Sequence, residues 1–271
     1  MTATADQERF QSGAQDYAAY LETPEGRLRS DLAFANLEDF LPRRQAMKSL
    51  SALDVGCGTG VTGIRLARLG IHVTLLDSSQ SMLDIAKRAA QESGVIGNVT
   101  LRHGDAAQPG SLFPAASFDV ILCHNTLEYV DDPMVVLRAA AGALRDSCAI
   151  LSILVRNRAG EVLKAAIQGG DLAAAERNLT AEWGQEPLYG GKVRLFSPDS
   201  LQAMLEAVSL APIAERGVRV LTDYLPPQIS RSAEYGRIFE LERKLGTRPD
   251  CAAVARYTHC LARRPVVEKS A

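Results

Sequence analysis

Between residues 50 and 155, short apolar runs alternate with helix-like stretches, and this alternation restricts the chain to few folds. The apolar runs are too short for helices and have the length of strands. They are Ala52–Gly56, His72–Asp77, Asn98–Arg102, Phe118–His124 and Ala149–Val155. The helix-like stretches are Thr59–Leu69, Ser79–Ser93 and Asp132–Leu144. Strands and helices in alternation form βαβ units and a parallel sheet, so the sequence predicts an α/β fold.

The segments on either side of this alternation have different patterns. Residues 1–47 are polar, with a helical pattern over Asp31–Leu41, and predict an N-terminal helical cap. Residues 156–196, after the fifth predicted strand, predict an insertion. The remaining elements are a helix from Ser197, a strand over Pro212–Leu221, a charged helix over Ser232–Leu245 and a strand over Arg256–Ala262. We therefore expect one α/β domain over residues 48–271, to which the cap is joined and within which the insertion lies.

Charge and cysteine content argue against several classes of protein. The chain has 30 basic and 32 acidic side chains, so its net charge of −2 does not indicate a nucleic-acid partner. No apolar run approaches the roughly 20 residues of a membrane-spanning helix, and the N-terminus lacks the apolar centre of a signal peptide. Five cysteines without CxxC spacing indicate reduced thiols in the cytoplasm, and the four scattered histidines predict no metal site.

The strongest local motif is Leu53–Gly60, with the sequence LDVGCGTG, which leads from a predicted strand into a predicted helix. Its three glycines allow a sharp turn and a close approach of the backbone to a ligand. The N-terminus of the following helix directs free N–H groups and partial positive charge towards the same place. Asp77 ends the second predicted strand, where a carboxylate can accept hydrogen bonds from both hydroxyls of a ribose. The motif therefore predicts a nucleotide-like ligand.

Two nucleotide-like ligands compete for this motif. Gly58, Gly60 and Gly63 also form a GxGxxG pattern, which by itself is weak evidence for NAD and an oxidoreductase. Asp54, however, is an awkward charge beside a pyrophosphate and suits the ammonium of a methionine moiety, directly or through water. The pattern also lacks a second mononucleotide-binding half. S-adenosylmethionine is therefore favoured over NAD.

Four segments match, in order, the motifs of class I S-adenosylmethionine-dependent methyltransferases: Leu53–Gly60, Asp77, Gly104–Asp105 and Phe118–Val130. The chain resembles this family over about residues 50–155. The resemblance implies a Rossmann-like methyltransferase fold, with a seven-stranded, mostly parallel sheet and an antiparallel last strand. It also implies that the glycine loop faces the methionine end of the cofactor, Asp77 the ribose, and Asp105 and Ala106 the adenine.

A narrower resemblance extends over nearly the whole chain. Phe10, Tyr20–Leu32, the stretch CHNTLEYV, Arg216–Leu225 and Ala255–Arg264 are similar to the bacterial tRNA 5-carboxymethoxyuridine methyltransferases. This resemblance implies methyl transfer to a carboxylate on a tRNA wobble uridine, with the cofactor contacted by the residues at positions 29 and 124. Family members carry a basic run in the insertion, whereas residues 170–196 of this chain contain three basic residues, Arg177, Lys192 and Arg194. A small-molecule metabolite therefore stays open as the alternative acceptor, as does a cofactor-binding protein without turnover.

The motifs and the resemblance together give a set of candidate site residues. The expected cofactor contacts are Arg29, Asp54, Gly56, Cys57, Gly58, Gly60, Asp77, Ser78, Met82, Asp105, Ala106 and His124. The expected acceptor contacts are Tyr20, Arg219, Tyr224, Arg256 and Tyr257. His124 is also a candidate general base for a hydroxyl or amine acceptor, whereas an ionised carboxylate needs no base. Structural roles are the alternative: Asp54 as a cap of the glycine loop, His124 as a core histidine, and Arg29 on the surface.

Overall fold

A seven-stranded sheet lies at the centre of the computed structural model, which describes residues 5–42, 49–186, 188, 190–229 and 231–265. The described strands are β1 Ser51–Val55, β2 His72–Asp77, β3 Val99–His103, β4 Val120–His124, β5 Ile150–Arg156, β6 Trp183–Gln185, β7 Lys192–Arg194, β8 Ala211–Val218 and β9 Tyr257–Arg263. β6 and β7 form a separate hairpin, and the others have the order β3–β2–β1–β4–β5–β9–β8. β1 to β5 run parallel, and β9 lies antiparallel between β5 and β8. The expected seven-stranded α/β sheet with an antiparallel last strand is confirmed.

Helices cover both faces of the sheet. They are α1 Ala5–Ser12, α2 Ala14–Glu22, α3 Pro24–Glu38, α4 Val61–Arg68, α5 Gln80–Glu92, α6 Pro133–Ala143, α7 Arg158–Leu163, α8 Leu172–Asn178, α9 Pro198–Glu206, α10 Tyr235–Gly246 and α11 Pro249–Ala252. Leu66 of α4 and Ala86 of α5 share one apolar cluster with Leu122 of β4. Leu137 of α6 packs in the opposite cluster with Ile121, the neighbour of Leu122 on β4. Successive strand residues thus face opposite helical layers, which explains why the central strands β1, β4 and β5 are buried along nearly their whole length.

The sequence predicted the start of α9 correctly. The side chain of Ser197 accepts a hydrogen bond from the Ser200 N–H at 3.2 Å, and the Ser200 hydroxyl oxygen accepts one from the Ser197 N–H at 2.9 Å. Pro198 occupies the first turn, where its missing N–H costs nothing. This reciprocal cap satisfies two backbone donors that would otherwise have no partner.

Helix α3 begins earlier than the pattern over Asp31–Leu41 predicted. Thr23 caps it by accepting a hydrogen bond from the Gly26 N–H at 3.1 Å, and Pro24 supplies its first residue. The helix therefore starts at Pro24 and ends at Glu38. This earlier start places Arg29 inside a buried helical segment instead of on the surface.

The predicted strand over Pro212–Leu221 is three residues too long, because the backbone turns at Arg219. This residue has a φ of 61°, a left-handed conformation that is uncommon for a side chain other than glycine. The buried Glu242 carboxylate then accepts hydrogen bonds from the N–H groups of the next three residues, Val220, Leu221 and Thr222. Such strain concentrates at functional sites, where the surrounding structure enforces it.

The segment after β5 contains α7, a π-helical turn over Lys164–Gln168, α8 and the β6–β7 hairpin. The hairpin was not predicted, because three-residue strands are too short to show a period. We propose that residues 156–196 are an insertion and residues 1–47 a cap on a single domain over 48–271. Residues 1–4, 43–48, 187, 189, 230 and 266–271 of these segments lie outside the described ranges. Among the described helices, none has the length and apolarity to cross a membrane.

Candidate functional site

A cavity of about 880 Å³ opens at the carboxyl ends of the parallel strands. Its wall includes Asp77 at the end of β2, His124 at the end of β4 and Arg156 at the end of β5. Side chains of α1 and α2 line it from the other side. Ligands of open parallel sheets bind at this edge, and the volume suits a small molecule of cofactor size.

The glycine loop after β1 brings bare backbone to the cavity wall. Gly56 has a φ of 64°, and a Cβ at this position would lie 2.6 Å from the Thr126 hydroxyl oxygen. Gly58 has a φ of 53°, and its Cβ would lie 3.0 Å from the Tyr17 ring. Both positions exclude a side chain by conformation and by space, so a ligand can contact the peptide backbone directly.

Asp77 is held in place by the same loop. Its two carboxylate oxygens accept hydrogen bonds from the Gly58 N–H and the Ser79 N–H, each at 2.8 Å. Burial raises the pKa of Asp77, although these N–H groups oppose the shift. Ser78 and Met82 line the cavity next to it. The carboxylate is therefore fixed beside the cavity with lone pairs left for hydroxyl donors.

The loop after β3 supplies the next part of the wall. Asp105 and Ala106 both line the cavity, and the Asp105 carboxylate accepts a hydrogen bond from the Ala107 N–H at 2.9 Å. Ala106 is buried and belongs to the apolar cluster under α6. A flat, partly apolar ring system has a suitable surface here.

Asp54, near the end of β1, and Cys57, within the glycine loop, do not line the large cavity. They line a smaller cavity of about 40 Å³, which shares Arg29, Gly56 and His124 with the large one. The Asp54 carboxylate accepts a hydrogen bond from the Gly63 N–H at 3.1 Å, and burial raises the pKa of Asp54 to about 7. The structural role that the sequence left open for Asp54, a cap of the loop and its helix, is therefore present. The small cavity has room for bridging water.

His124 belongs to a buried chain of polar groups. Its Nε2 lies 2.8 Å from the Ser152 hydroxyl oxygen, which in turn lies 2.8 Å from Nε2 of His259. Burial and the nearby Arg29 guanidinium lower the pKa of His124 to about 3. The imidazole is therefore neutral at pH 7 and is a poor general base, because so little driving force exists to protonate it.

Arg29 points its guanidinium to the junction of the two cavities. It donates a hydrogen bond to the Tyr17 hydroxyl at 3.0 Å and stacks within 6 Å of the rings of Tyr17, Tyr20 and Tyr257. Among the described residues, no carboxylate lies within ion-pair distance of Arg29. A buried guanidinium without a carboxylate partner favours an anionic ligand.

Three further arginines lie at the end of the cavity away from the glycine loop. Arg156 pairs with Glu161 at 3.3 Å and with Glu186, Arg256 pairs with Glu161 at 2.6 Å, and Arg219 pairs with Asp223. All six side chains are buried. Lys164 lines the same end of the cavity beside Arg256 and Glu161, so four cationic side chains face three carboxylates there, and this end keeps an excess of positive charge.

Tyr257 stands at the centre of these arginines. Burial raises its pKa, but the guanidiniums of Arg156, Arg29, Arg219 and Arg256 lower it more, to about 8. The phenol is thus easier to ionise than a free tyrosine, which reports the strength of the local positive field.

The structure brings most of the predicted site residues together at the large cavity, but Asp54 and Cys57 line the smaller cavity, and Gly60 and Tyr224 line neither. Nine predicted cofactor contacts line the large cavity: Arg29, Gly56, Gly58, Asp77, Ser78, Met82, Asp105, Ala106 and His124. Four predicted acceptor contacts line it as well: Tyr20, Arg219, Arg256 and Tyr257. Gly60 lies against Leu75 and Ala86, so it shapes the turn without facing the cavity. Tyr224 points its hydroxyl towards the Gly160 carbonyl, 3.5 Å away, because the turn after Arg219 directs Asp223 inwards instead.

Some lining residues were missed by sequence reasoning. Arg156 directly follows the predicted strand Ala149–Val155, and the rule that ligands bind at the carboxyl ends of strands would have found it. Tyr17, Glu186 and Asp223 gave no local signal, because only the packing of α2, the insertion and the turn after β8 brings them to the cavity.

Comparisons with known proteins agree with this geometry. A family model described as "Methyltransferase domain" matches residues 52–147. The chain is 31% identical over 249 residues to the tRNA 5-carboxymethoxyuridine methyltransferase of Escherichia coli, a match that covers 90% of each chain. It is 32% identical over 139 residues to the ubiquinone biosynthesis O-methyltransferase of Xanthomonas campestris, covering 50% of this chain and 55% of that protein.

Solved structures show the same fold. The magnesium protoporphyrin IX methyltransferase of Synechocystis PCC 6803, solved with bound SAH, superposes with a TM-score of 0.63. The match covers 96% of this chain and 97% of that chain, at 16% sequence identity. At that identity the likeness concerns the fold.

Proposed function

Because this chain belongs to the S-adenosylmethionine-dependent methyltransferases, we propose that it binds S-adenosylmethionine in the large cavity and methylates a carboxylate. The acceptor that we infer is the carboxymethoxy group of a tRNA wobble uridine, and the second product is S-adenosylhomocysteine. A tRNA acceptor implies a cytoplasmic enzyme.

The described residues fit the cofactor at each of its parts. The backbone of Gly56 and Gly58, which carries no Cβ, lines the large cavity and can contact the cofactor directly. Asp77 can accept hydrogen bonds from the ribose hydroxyls, and Arg29 can bind the methionine carboxylate. The ammonium can reach Asp54 through water in the small cavity. When bound, the cofactor supplies a methyl group that its sulfonium already activates.

The excess positive charge at the far end of the cavity is the observation that carries the acceptor proposal. A buried guanidinium is stable when an anion accepts its hydrogen bonds, and a carboxylate can do so with two oxygens at once. Arg219 and Arg256 face this space from the turn after β8 and the start of β9. An acceptor carboxylate held there is already ionised at pH 7, so the residues of the chain need only align it with the methyl group.

The neutral state of His124 supports the same choice of acceptor. A hydroxyl or amine acceptor would need a base, and the lowered pKa of His124 makes this imidazole unsuited to that role. A carboxylate acceptor removes the requirement. His124 then has a binding role.

One observation favours the second candidate acceptor, a small carboxylate metabolite. Residues 170–196 hold three basic residues and four acidic ones, Asp171, Glu176, Glu182 and Glu186. This segment therefore offers little attraction to RNA phosphates, which usually supply much of the affinity for nucleic acid.

The test is methyl transfer from labelled S-adenosylmethionine to two matched tRNA pools, one with and one without 5-carboxymethoxyuridine. We expect label in the first pool only, in a nucleoside that releases it on mild alkaline hydrolysis, as a methyl ester does. Binding should weaken steeply as salt rises. If the protein binds S-adenosylmethionine but labels neither tRNA pool, the acceptor is a small carboxylate instead of tRNA. Label that is stable to alkali would contradict the formation of a methyl ester.

A further inference from the structure

A chain of four polar side chains runs from the cavity wall into the sheet and ends on α3. Asn36 of α3 places its Nδ2 3.3 Å from Nδ1 of His259 on β9. Nε2 of His259 lies 2.8 Å from the hydroxyl oxygen of Ser152 on β5. The same oxygen lies 2.8 Å from Nε2 of His124 on β4. Asn36, Ser152 and His259 are buried, so no solvent competes for these hydrogen bonds.

Hydrogen atoms in such a chain can point in only two ways. Burial lowers the pKa of both His124 and His259, so each imidazole is neutral, with one nitrogen that donates and one that accepts. The Ser152 hydroxyl donates to one imidazole and accepts from the other. Whichever group stands at the end of the chain therefore decides the tautomer of His124.

The Asn36 amide nitrogen can only donate, so it sets the direction. Nδ1 of His259 accepts from it, which puts the His259 proton on Nε2. That proton is donated to Ser152, and the Ser152 proton is donated to Nε2 of His124. His124 consequently carries its own proton on Nδ1.

At the cavity end of the chain, this direction of the hydrogen bonds leaves an N–H donor on His124 beside the Arg29 guanidinium. His124 lines both cavities next to Arg29, and its Nδ1 has no hydrogen-bond partner among the described residues, yet is not a buried orphan. Nδ1 is therefore open to a ligand. An N–H beside a guanidinium that has no carboxylate partner among the described residues forms a two-part donor site, to which a carboxylate is complementary.

We propose that Asn36, His259 and Ser152 are positioning residues that fix His124 as an Nδ1–H donor, so that His124 and Arg29 together bind a ligand carboxylate. This inference deepens the proposed function, and it rests on that function for its ligand. The carboxylate belongs either to the methionine end of the cofactor or to the acceptor. Binding measurements separate these two sources.

The tautomer is tested directly by nitrogen NMR on protein labelled with ¹⁵N-histidine. The chain has four histidines, and a His124→Gln variant assigns the signals of His124 by their loss. We expect His124 to show a protonated Nδ1 and an unprotonated Nε2 at neutral pH. The reverse pattern, or a doubly protonated ring, would overturn the proposal, and the measurement needs neither cofactor nor tRNA.

The direction of the chain is tested with Asn36→Asp, which replaces the donor by an acceptor of the same shape. We expect the proton of His124 to move to Nε2 and affinity for S-adenosylhomocysteine to fall at least about tenfold. Affinity for 5′-methylthioadenosine, which has no carboxylate, should stay unchanged. The control, Asn36→Ala, removes the donor without imposing the reverse direction and should give a mixture of tautomers.

The outcomes separate the two sources of carboxylate. If S-adenosylhomocysteine binds Asn36→Asp normally while KM for the carboxylate acceptor rises, the donor serves the acceptor. If the tautomer reverses and neither affinity changes, the donor role of His124 is wrong. Should Asn36→Asp fail to fold, the spectrum of the wild-type protein still decides the tautomer. Absence of any S-adenosylhomocysteine binding to wild type would refute the proposed function, while the tautomer result would stand.

Discussion

The Arg29 guanidinium and the Tyr17 hydroxyl form a 3.0 Å hydrogen bond between α3 and α2, at the place where the two cavities meet. The Tyr17 and Tyr257 hydroxyls are hydrogen-bond partners of this guanidinium, but neither neutralises its charge, which favours an anionic ligand. The N-terminal helices thus present a charged group to the site formed at the ends of the parallel strands.

Arg29→Met should weaken S-adenosylhomocysteine binding by about 10- to 100-fold, because a hydrogen-bonded charge pair contributes roughly 1.5–3 kcal/mol. Affinity for 5′-methylthioadenosine should change little. Titration calorimetry measures both. Arg237→Met, at an exposed position on α10, is the control and should bind both ligands like wild type. An Arg29 variant with equal losses for the two ligands would point to general damage to the site.

Asp77→Leu should weaken the binding of both S-adenosylhomocysteine and 5′-methylthioadenosine by at least about tenfold. Both ligands contain the ribose, and we propose that the Asp77 carboxylate accepts hydrogen bonds from its hydroxyls. The same titrations check this. Asp84→Leu, on the exposed side of α5, is the matched control, and we expect it to leave the affinity for both ligands unchanged. Unchanged affinity for 5′-methylthioadenosine would contradict a contact between Asp77 and the ribose.

Arg256→Gln should lower kcat/KM for the carboxylate acceptor by about 100-fold, since a buried bidentate partner is lost. Affinity for S-adenosylhomocysteine should stay within about twofold of wild type. Glutamine can still donate to Glu161, which limits the cost of leaving that carboxylate buried. Steady-state kinetics at several acceptor concentrations measures the effect, with the exposed Arg248→Gln as control. If the variant loses affinity for S-adenosylhomocysteine instead, Arg256 contacts the cofactor and the proposed contact with the acceptor is wrong.

Asp54→Asn should raise the melting temperature of the ligand-free protein at pH 8 and leave it unchanged near pH 4. Burial raises the folded-state pKa of Asp54 to about 7, above the ordinary value of 3.8. The folded state thus holds its proton more tightly than the unfolded state, and stability falls as pH rises between these two values. Thermal unfolding at several pH values tests this; a difference between variant and wild type that does not grow with pH would contradict it.

The sequence predicted those features that depend on local pattern. The glycine loop and Asp77 could be found because each follows a strand and each has a chemical reason to be there. The same rule, applied to β5, would have identified Arg156. Tyr17 and Glu186 could not be found, since their places in the cavity depend on how α2 and the β6–β7 hairpin pack on the rest of the molecule.

Errors at element boundaries had identifiable causes. The early start of α3 depends on the Thr23 cap followed by Pro24, a signal that the sequence contains and the apolar pattern obscured. The early end of β8 depends on Glu242, which lies 20 or more residues away from the N–H groups it accepts from. Only the first of these could have been inferred without a three-dimensional structure.

The position of β9 between β5 and β8 has a consequence for synthesis of the protein on the ribosome. β8 precedes β9 in the chain but pairs only with it, so β8 cannot join the sheet before β9 has emerged. Arg256, Tyr257 and His259 are carried by or adjacent to β9, and Arg219 follows β8. The half-made protein can therefore form the edge that carries the glycine loop early, whereas the positively charged end of the cavity is complete only after this late strand has been added.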